Sequence, residues 1–258
     1  MNSTELPTIT TKQKDILLLL YRFRFLTRPQ IQILLKHKHH NRIIHWLNDL
    51  TEKNYVKQYY EKTVAASPAV YSLGNISRKY FKINPNERIS ESQLNRVWRE
   101  EKYSLIFREH CIFVSQLYIS FLEVIKDTQM TLELLTKSEY PDIEFLIKPH
   151  PDAYAVITEP HKHTKRYFID VFDDMTPRMI LRKRIRQYLN YYDEQYWQEE
   201  MKKPFPKVLL ICPDERSRKY LQRFIRVKLD GESDVSFFFG LRADIQKRGV
   251  QEDTWETV

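Results

Sequence analysis

Glycine is nearly missing from this chain, with four in 258 residues. Nucleotide-binding folds need glycine where a loop wraps phosphate, and neither a G-x-x-x-x-G-K nor a G-x-G-x-x-G string occurs, so ATP and dinucleotide chemistry is set aside. Cysteine is scarcer still. Cys111 and Cys212 lie far apart inside apolar stretches, as small core residues of a reducing compartment do, and neither a disulfide nor a zinc site is expected. The longest unbroken apolar run, residues 16–21, is far short of a bilayer span, and the polar first ten residues lack the apolar core of a secretory signal. The expectation is a cytoplasmic protein with no membrane partner.

What is present is positive charge, unevenly distributed. Residues 1–90 hold 15 Lys and Arg against 6 Asp and Glu, a net +9, whereas residues 91–258 hold 27 against 28, a net −1. The whole excess of +8 therefore sits in the first third, which suggests a small module that meets nucleic acid joined to a larger neutral one. A length of 258 residues with 42% hydrophobic and 13% aromatic content is enough for both.

The first third has helical spacing three times over. From Thr11 a threonine-capped run leads into Ile16, Leu17 and Leu20, and a second begins at Thr27 with Pro29 in its first turn, where a missing N–H costs little. After the basic turn Lys36-His-Lys-His-His40, residues 41–53 put Ile43, Ile44, Leu47 and Leu50 on one face and Asn41, Arg42, His45 and Asn48 on the other. Two β-prone runs, 55–60 and 69–73, then form a hairpin. Three helices and a hairpin make a winged helix-turn-helix over residues 8–84, whose third helix enters the major groove of double-stranded DNA. Asn41 and Arg42 are the best base readers, because amide and guanidinium groups make paired contacts with adenine and guanine. Arg28, Lys36, Lys38, His40, His45 and Lys57 complete the expected DNA-binding set.

A polar break at 84–87 reads as a linker, with a second domain over 92–245. Residues 94–126 lack Pro and Gly and read as one long helix or a broken pair, containing His110 as a core or interface histidine. A strand follows at 131–135, then a hairpin of 150–157 and 166–173 with a polar turn between them. Next come a tyrosine-rich basic helix over 176–196, a continuous apolar strand at 207–212, a second basic helix at 215–228 and a strand at 235–239. The tail beyond Arg248 reads as poorly ordered. Asp152 opens the first hairpin strand and Asp170 lies inside the second among β-branched and aromatic neighbours, where a carboxylate needs a cation or a partner. His161 and His163 fall in the polar turn and read as a solvated tip. Tyr188, Tyr191 and Tyr192, spaced i, i+3, i+4, read as a core stripe and not as nucleophiles.

Helix, three strands, helix and strand, with Pro151-Asp152 starting one strand and Asp170 inside the next, resemble the restriction-endonuclease-like core and its PD-(D/E)xK motif. More specifically, the N-terminal winged helix, Glu109-His110 in the long helix, Pro151-Asp152-Ala153, Thr176, Lys183 to Tyr188 and the Pro204-to-Ile211 strand resemble the replication-relaxation family. That resemblance spans about residues 10 to 240. It implies an α+β chain: a winged helix followed by a PD-(D/E)xK-type α/β domain, acting in replication or mobilisation of plasmids and other mobile elements.

The resemblance also implies a site. Asp152 and Asp170 would be catalytic residues holding Mg²⁺, Lys183 or Arg184 would stabilise phosphoryl charge, and Glu101 or Glu109 would complete the set. Where the nuclease pattern has its lysine this chain has Phe172, and Asp173 alternates to the opposite face. The expectation is therefore a degenerate scaffold, with Asp170 paired to a basic residue such as Arg184. Three functions are weighed: a sequence-specific duplex-DNA-binding protein, a Mg²⁺-dependent nickase or relaxase acting at the bound site, and a winged-helix transcriptional regulator with a dimerising C-terminal domain. Partners beyond DNA would be a second copy or other replication and mobilisation proteins.

Overall fold

The computed structural model describes residues 6–60, 68–85, 89, 92, 94–95, 104–140, 146–160, 163–229 and 235–258. It is a mixed α+β chain that divides into two compact units, Met1–Ile119 and Ser120–Val258.

In the first unit α1 (Thr11–Phe23) and α2 (Arg28–Leu34) both begin with a reciprocal cap. Gln13 Oε1 accepts from the Thr10 N–H at 2.8 Å while Thr10 Oγ1 accepts from the Gln13 N–H at 3.3 Å, and Thr27 and Gln30 repeat the device. Helix α3 (His40–Glu52) buries Ile43, Leu47 and Leu50 against Ile16, Leu17 and Leu20. Gln13 ties α1 to α3 by donating to Asp49 Oδ2 at 2.6 Å. Strands β1 (Leu26–Thr27), β2 (Val56–Tyr59) and β3 (Val70–Leu73) form an antiparallel sheet of order β1-β3-β2. Gly74, which follows β3, passes so close to the chain that a Cβ there would lie 2.5 Å from the Asn54 carbonyl oxygen. It leads into α4 (Asn75–Ile83).

Helix α5 (Leu105–Ile125) covers the described part of the run expected as one long helix; residues 96–103, with Val97 and Glu101, lie outside the described residues. The run was expected in the second domain, yet most of this helix belongs to the first unit. Gln30 Nε2 donates to the Ile112 carbonyl at 2.9 Å, Arg22 lies over the Tyr118 ring at 4.6 Å, and Arg108 lies over Tyr59 at 4.5 Å. By length and composition α5 is apolar enough to cross a bilayer, although no unbroken apolar run in the sequence is long enough to show it. Its Phe113, Leu117 and Phe121 are buried within protein.

The second unit is built on a six-stranded sheet in chain order: β4 (Thr131–Thr136), β5 (Ala153–Thr158), β6 (Thr164–Val171), β7 (Lys207–Cys212), β8 (Phe237–Leu241) and β9 (Glu256–Thr257). The first three strands are antiparallel, β6 through β8 are parallel, and β9 returns antiparallel. Parallel neighbours need crossovers. These are α6 (Arg178–Asp193) with α7 (Tyr196–Met201) before β7, and α8 (Glu215–Leu229) before β8. Every residue of β7 after Lys207 is buried, as its continuous apolar run requires. The core joins Phe168, Val208, Leu210 and Phe239 of the sheet to Leu181, Ile185, Tyr188, Leu221 and Ile225 of the helices.

Three expectations change here. The acidic hairpin is shifted, with strands Ala153–Thr158 and Thr164–Val171 and only residues 159–163 between them, because Thr158 and Thr164 pair. The tyrosine-rich helix begins at Arg178 and breaks at Gln195, which takes a left-handed φ of 56°. The tail is ordered: α9 (Arg242–Arg248) leads through a 3-10 turn, Glu252–Thr254, into β9, with Val250 and Thr254 buried. Polar composition hid this, because an edge strand needs backbone partners more than apolar side chains.

Candidate functional site

Two places hold the predicted site residues, one in each unit. In the first, α3 shows one polar face: His40, Asn41, Arg42, His45 and Asn48 are all exposed, while Ile43, Leu47 and Leu50 are buried beneath them. Among the described residues no ion pair within 4.0 Å engages Arg42 or His45. The turn that delivers α3 is held by its own contacts. Gln32 Nε2 donates to the His37 carbonyl at 3.1 Å, the His37 ring meets Trp46 edge-on at 5.0 Å, and the His39 N–H donates to His37 Nδ1 at 3.2 Å. Lys36, in left-handed backbone at φ 52°, and Lys38 project from this turn into solvent. Arg28, the first residue of α2, and Lys57 of β2 are half-buried. The loop between β2 and β3, residues 61–67, lies outside the described residues.

In the second unit the two acids do converge. The β5–β6 register pairs Ala153 with Ile169, so one residue further Asp152 stands opposite Asp170. Directly opposed residues of an antiparallel pair share one face. Both acids are buried. Asp170 Oδ2 accepts from Arg184 Nε at 2.6 Å and from the Tyr188 hydroxyl at 2.6 Å, and Asp170 Oδ1 accepts from Arg184 Nη2 at 3.3 Å. Arg184, itself buried, also donates through Nη1 to the Pro149 carbonyl at 2.7 Å and stacks over the Tyr188 ring at 4.4 Å. Asp152 Oδ1 accepts from Lys137 Nζ at 2.5 Å and Asp152 Oδ2 from the Val171 N–H at 2.7 Å.

The electrostatics follow from this packing. Burial opposes the charge on Lys137, but Asp152 and Asp170 outweigh it and raise its pKa; half of the side chain is exposed, and its ammonium donates to the Asp152 carboxylate. Burial also opposes the Arg184 charge, and Asp170 more than restores it. Burial and then the Asp170 charge push the Tyr188 and Tyr140 phenols well above their ordinary value, so neither is disposed to become a phenolate nucleophile. Phe172 is buried in the core.

A hydrated Mg²⁺ takes about six oxygen ligands, several of them water. Among the described residues no three His, Cys, Asp or Glu side chains stand close enough to share a cation. The oxygens of Asp152 and Asp170 already accept from lysine, arginine, phenol and backbone donors. Among the described residues this donor set does not fit Mg²⁺; it is a charge-balanced network of two carboxylates, one buried cation and one half-exposed cation.

Of the expected catalytic residues, Asp152, Asp170 and Arg184 meet and Lys183 does not. One helical step turns Lys183 into solvent while Arg184 faces the sheet. Glu109 is an exposed residue of α5 in the other unit, and Glu101 lies outside the described residues. Asp173 is engaged by Arg242 at 3.3 Å. His163 is exposed, and His161 lies outside the described residues. Tyr188 and Tyr191 are core residues, and Tyr192 packs against Phe205 at 5.3 Å. Sequence reasoning missed Lys137. It stands one residue past the end of β4, and nothing in the string distinguishes it from any lysine closing a strand.

The family model described as replication-relaxation matches residues 17–208, well over half of the chain. No curated protein matches. Among solved structures, ZitR of Lactococcus lactis, a zinc-responsive MarR family member, and a point mutant of ZitR each match at 18% identity and a TM-score of 0.28. The match covers 49% of this chain and 81% or 80% of the other. At that score the likeness carries no structural argument.

Proposed function

We infer the function from one premise, that this chain belongs to the replication-relaxation family: it is a sequence-specific duplex-DNA-binding protein acting in replication or mobilisation of a plasmid or other mobile element. The first unit is read as a winged helix-turn-helix with α3 as its recognition helix. The observation that carries this is the exposed row of Asn41, Arg42, His45 and Asn48 above a buried apolar face, within the segment that holds the chain's whole positive excess. Arg42 and Asn41 read base edges, and Arg28, Lys36, Lys38, His40 and Lys57 meet phosphate. The second unit is read as a restriction-endonuclease-like scaffold whose acids serve the fold. What supports this is that Arg184 and Lys137 neutralise the two carboxylates that Mg²⁺ would need.

The test is a duplex selected from a random library for binding by the full chain, followed by fluorescence anisotropy. Arg42→Ala should lose about 1–3 kcal/mol on the selected duplex and almost nothing on scrambled duplex. Equal loss on both would make Arg42 a phosphate contact, and no loss on either would remove α3 from the interface.

A further inference from the structure

The second unit is neutral overall, but its charge is not evenly spread. Along α6 from Arg178 to Asn190, and along α8 from Arg216 to Lys228, every charged residue is a cation. Arg184 turns inward to Asp170, Arg218 is engaged by Glu215 and Glu256, and Lys219 pairs with Glu215 at 3.2 Å. Arg182 is half-buried in the seam, and the rest are exposed. The two helices pack side by side on the sheet, and their seam is made of arginine on aromatic rings. Arg178 lies over Tyr220 at 4.8 Å, and Arg182 and Arg186 lie over Phe224 at 5.9 and 5.5 Å.

Helical spacing extends this seam. Arg216 and Arg223 stand four before and three after Tyr220, and Lys183 stands three before Arg186. Arg216, Arg223, Arg226, Lys183 and Arg186 are exposed; Asp214 feels the charge of Arg216, and among the described residues no carboxylate stands within 4.0 Å of any of the five cations. So many unneutralised like charges on adjacent helices repel one another, an arrangement that an anion with closely spaced charges relieves. A guanidinium lying over a ring has its motion restricted, and its N–H groups form a fork that suits phosphate oxygens.

We propose that this α6–α8 face is a second DNA contact, one that grips the phosphate backbone without reading sequence. The proposal rests on the DNA-binding reading for the identity of the anion, but it concerns different residues. Lys183, expected from sequence near the acids, belongs to this face. Exposed Met179 and Val227 on the same helices make an anionic lipid surface the competing occupant.

The test uses the full chain carrying Arg216→Glu, Arg223→Glu and Arg226→Glu together, beside Arg223→Lys with Arg226→Lys and beside Asn41→Ala with Arg42→Ala. Anisotropy on mixed-sequence duplex and single-stranded oligonucleotides is measured over a salt series, with phosphatidylserine–phosphatidylcholine vesicles as a second probe and circular dichroism as the folding control. The triple reversal should weaken duplex binding about tenfold or more and flatten the slope of log affinity against log salt by about 2 to 3, while the lysine pair stays near wild type. Unchanged duplex affinity and slope, with the α3 pair impaired, would overturn this proposal and leave the recognition helix standing. The reverse pattern, reversal impaired and α3 pair intact, would uphold this face and overturn the reading of α3. Loss confined to the vesicles would overturn it in favour of lipid.

Discussion

Taking away the guanidinium of Arg184 leaves the Asp170 carboxylate buried with the Tyr188 hydroxyl as its remaining side-chain donor. An uncompensated buried charge is far more costly than the net worth of the pair that hid it, so Arg184→Met should destabilise the second unit by about 3–5 kcal/mol in urea unfolding. Lys137→Met is the contrast. Its side chain is half exposed, water reaches the gap it leaves, and the Val171 N–H still donates to the buried Asp152, so the cost should be smaller, about 1–2 kcal/mol. Equal and small effects for the two would mean that Asp170 is not held by Arg184 in the way the geometry describes. At this scale the sequence was informative about acids and silent about cations. Asp170 announced itself as a charge among apolar neighbours, whereas Lys137 comes to Asp152 only because the end of β4 lies beside the start of β5.

The elements of the first unit follow from local chemistry, and one residue shows how tightly they close. Gly74 has an ordinary extended φ of −97°, so no conformational freedom is at stake; the need is for space. A methyl group there would press on the Asn54 carbonyl oxygen and on the Tyr55 carbonyl carbon at 3.0 Å, both backbone atoms at the exit of α3. Gly74→Ala should therefore cost about 1–3 kcal/mol and lower the thermal midpoint of the first unit, with DNA affinity falling only as far as the unfolded fraction rises. A midpoint at or above wild type would show that the β3–α4 corner gives way freely. Capping explains why α1 and α2 were legible: Thr10–Gln13 and Thr27–Gln30 are signals written in four residues. The edge strand β9 had no such signal, because what fixes Glu256 and Thr257 is the free edge of β8 and the arginine at 218.

For the whole molecule, the proposed division of labour predicts that the wild type binds DNA and leaves it intact. Supercoiled plasmid incubated with the full chain and millimolar MgCl2 should keep its supercoils. Nicking that needs the metal and vanishes in Asp152→Ala and in Asp170→Ala, with DNA binding preserved, would instead make the paired acids an active site and Lys137 a replacement for the lysine that Phe172 displaces.

What the sequence determined by itself is what depends on neighbours along the chain: the caps and apolar faces of α1 to α3, the β-branched runs of β6 and β7, and the charge excess of the first third. Periodicity and composition act locally, so Asn41, Arg42 and His45 could be placed on one exposed face without knowing the fold. Tertiary structure decided what depends on residues far apart. It set Asp152 opposite Asp170, turned Arg184 in and Lys183 out, brought Lys137 to a carboxylate fifteen residues on, packed most of α5 into the first unit, and laid the arginines of α6 on the rings of α8. The physical reason is the same in each case: an ion pair or a packed ring is specified by distance in space, and sheet register and helix packing, which set that distance, are properties of the assembled unit and of no single segment.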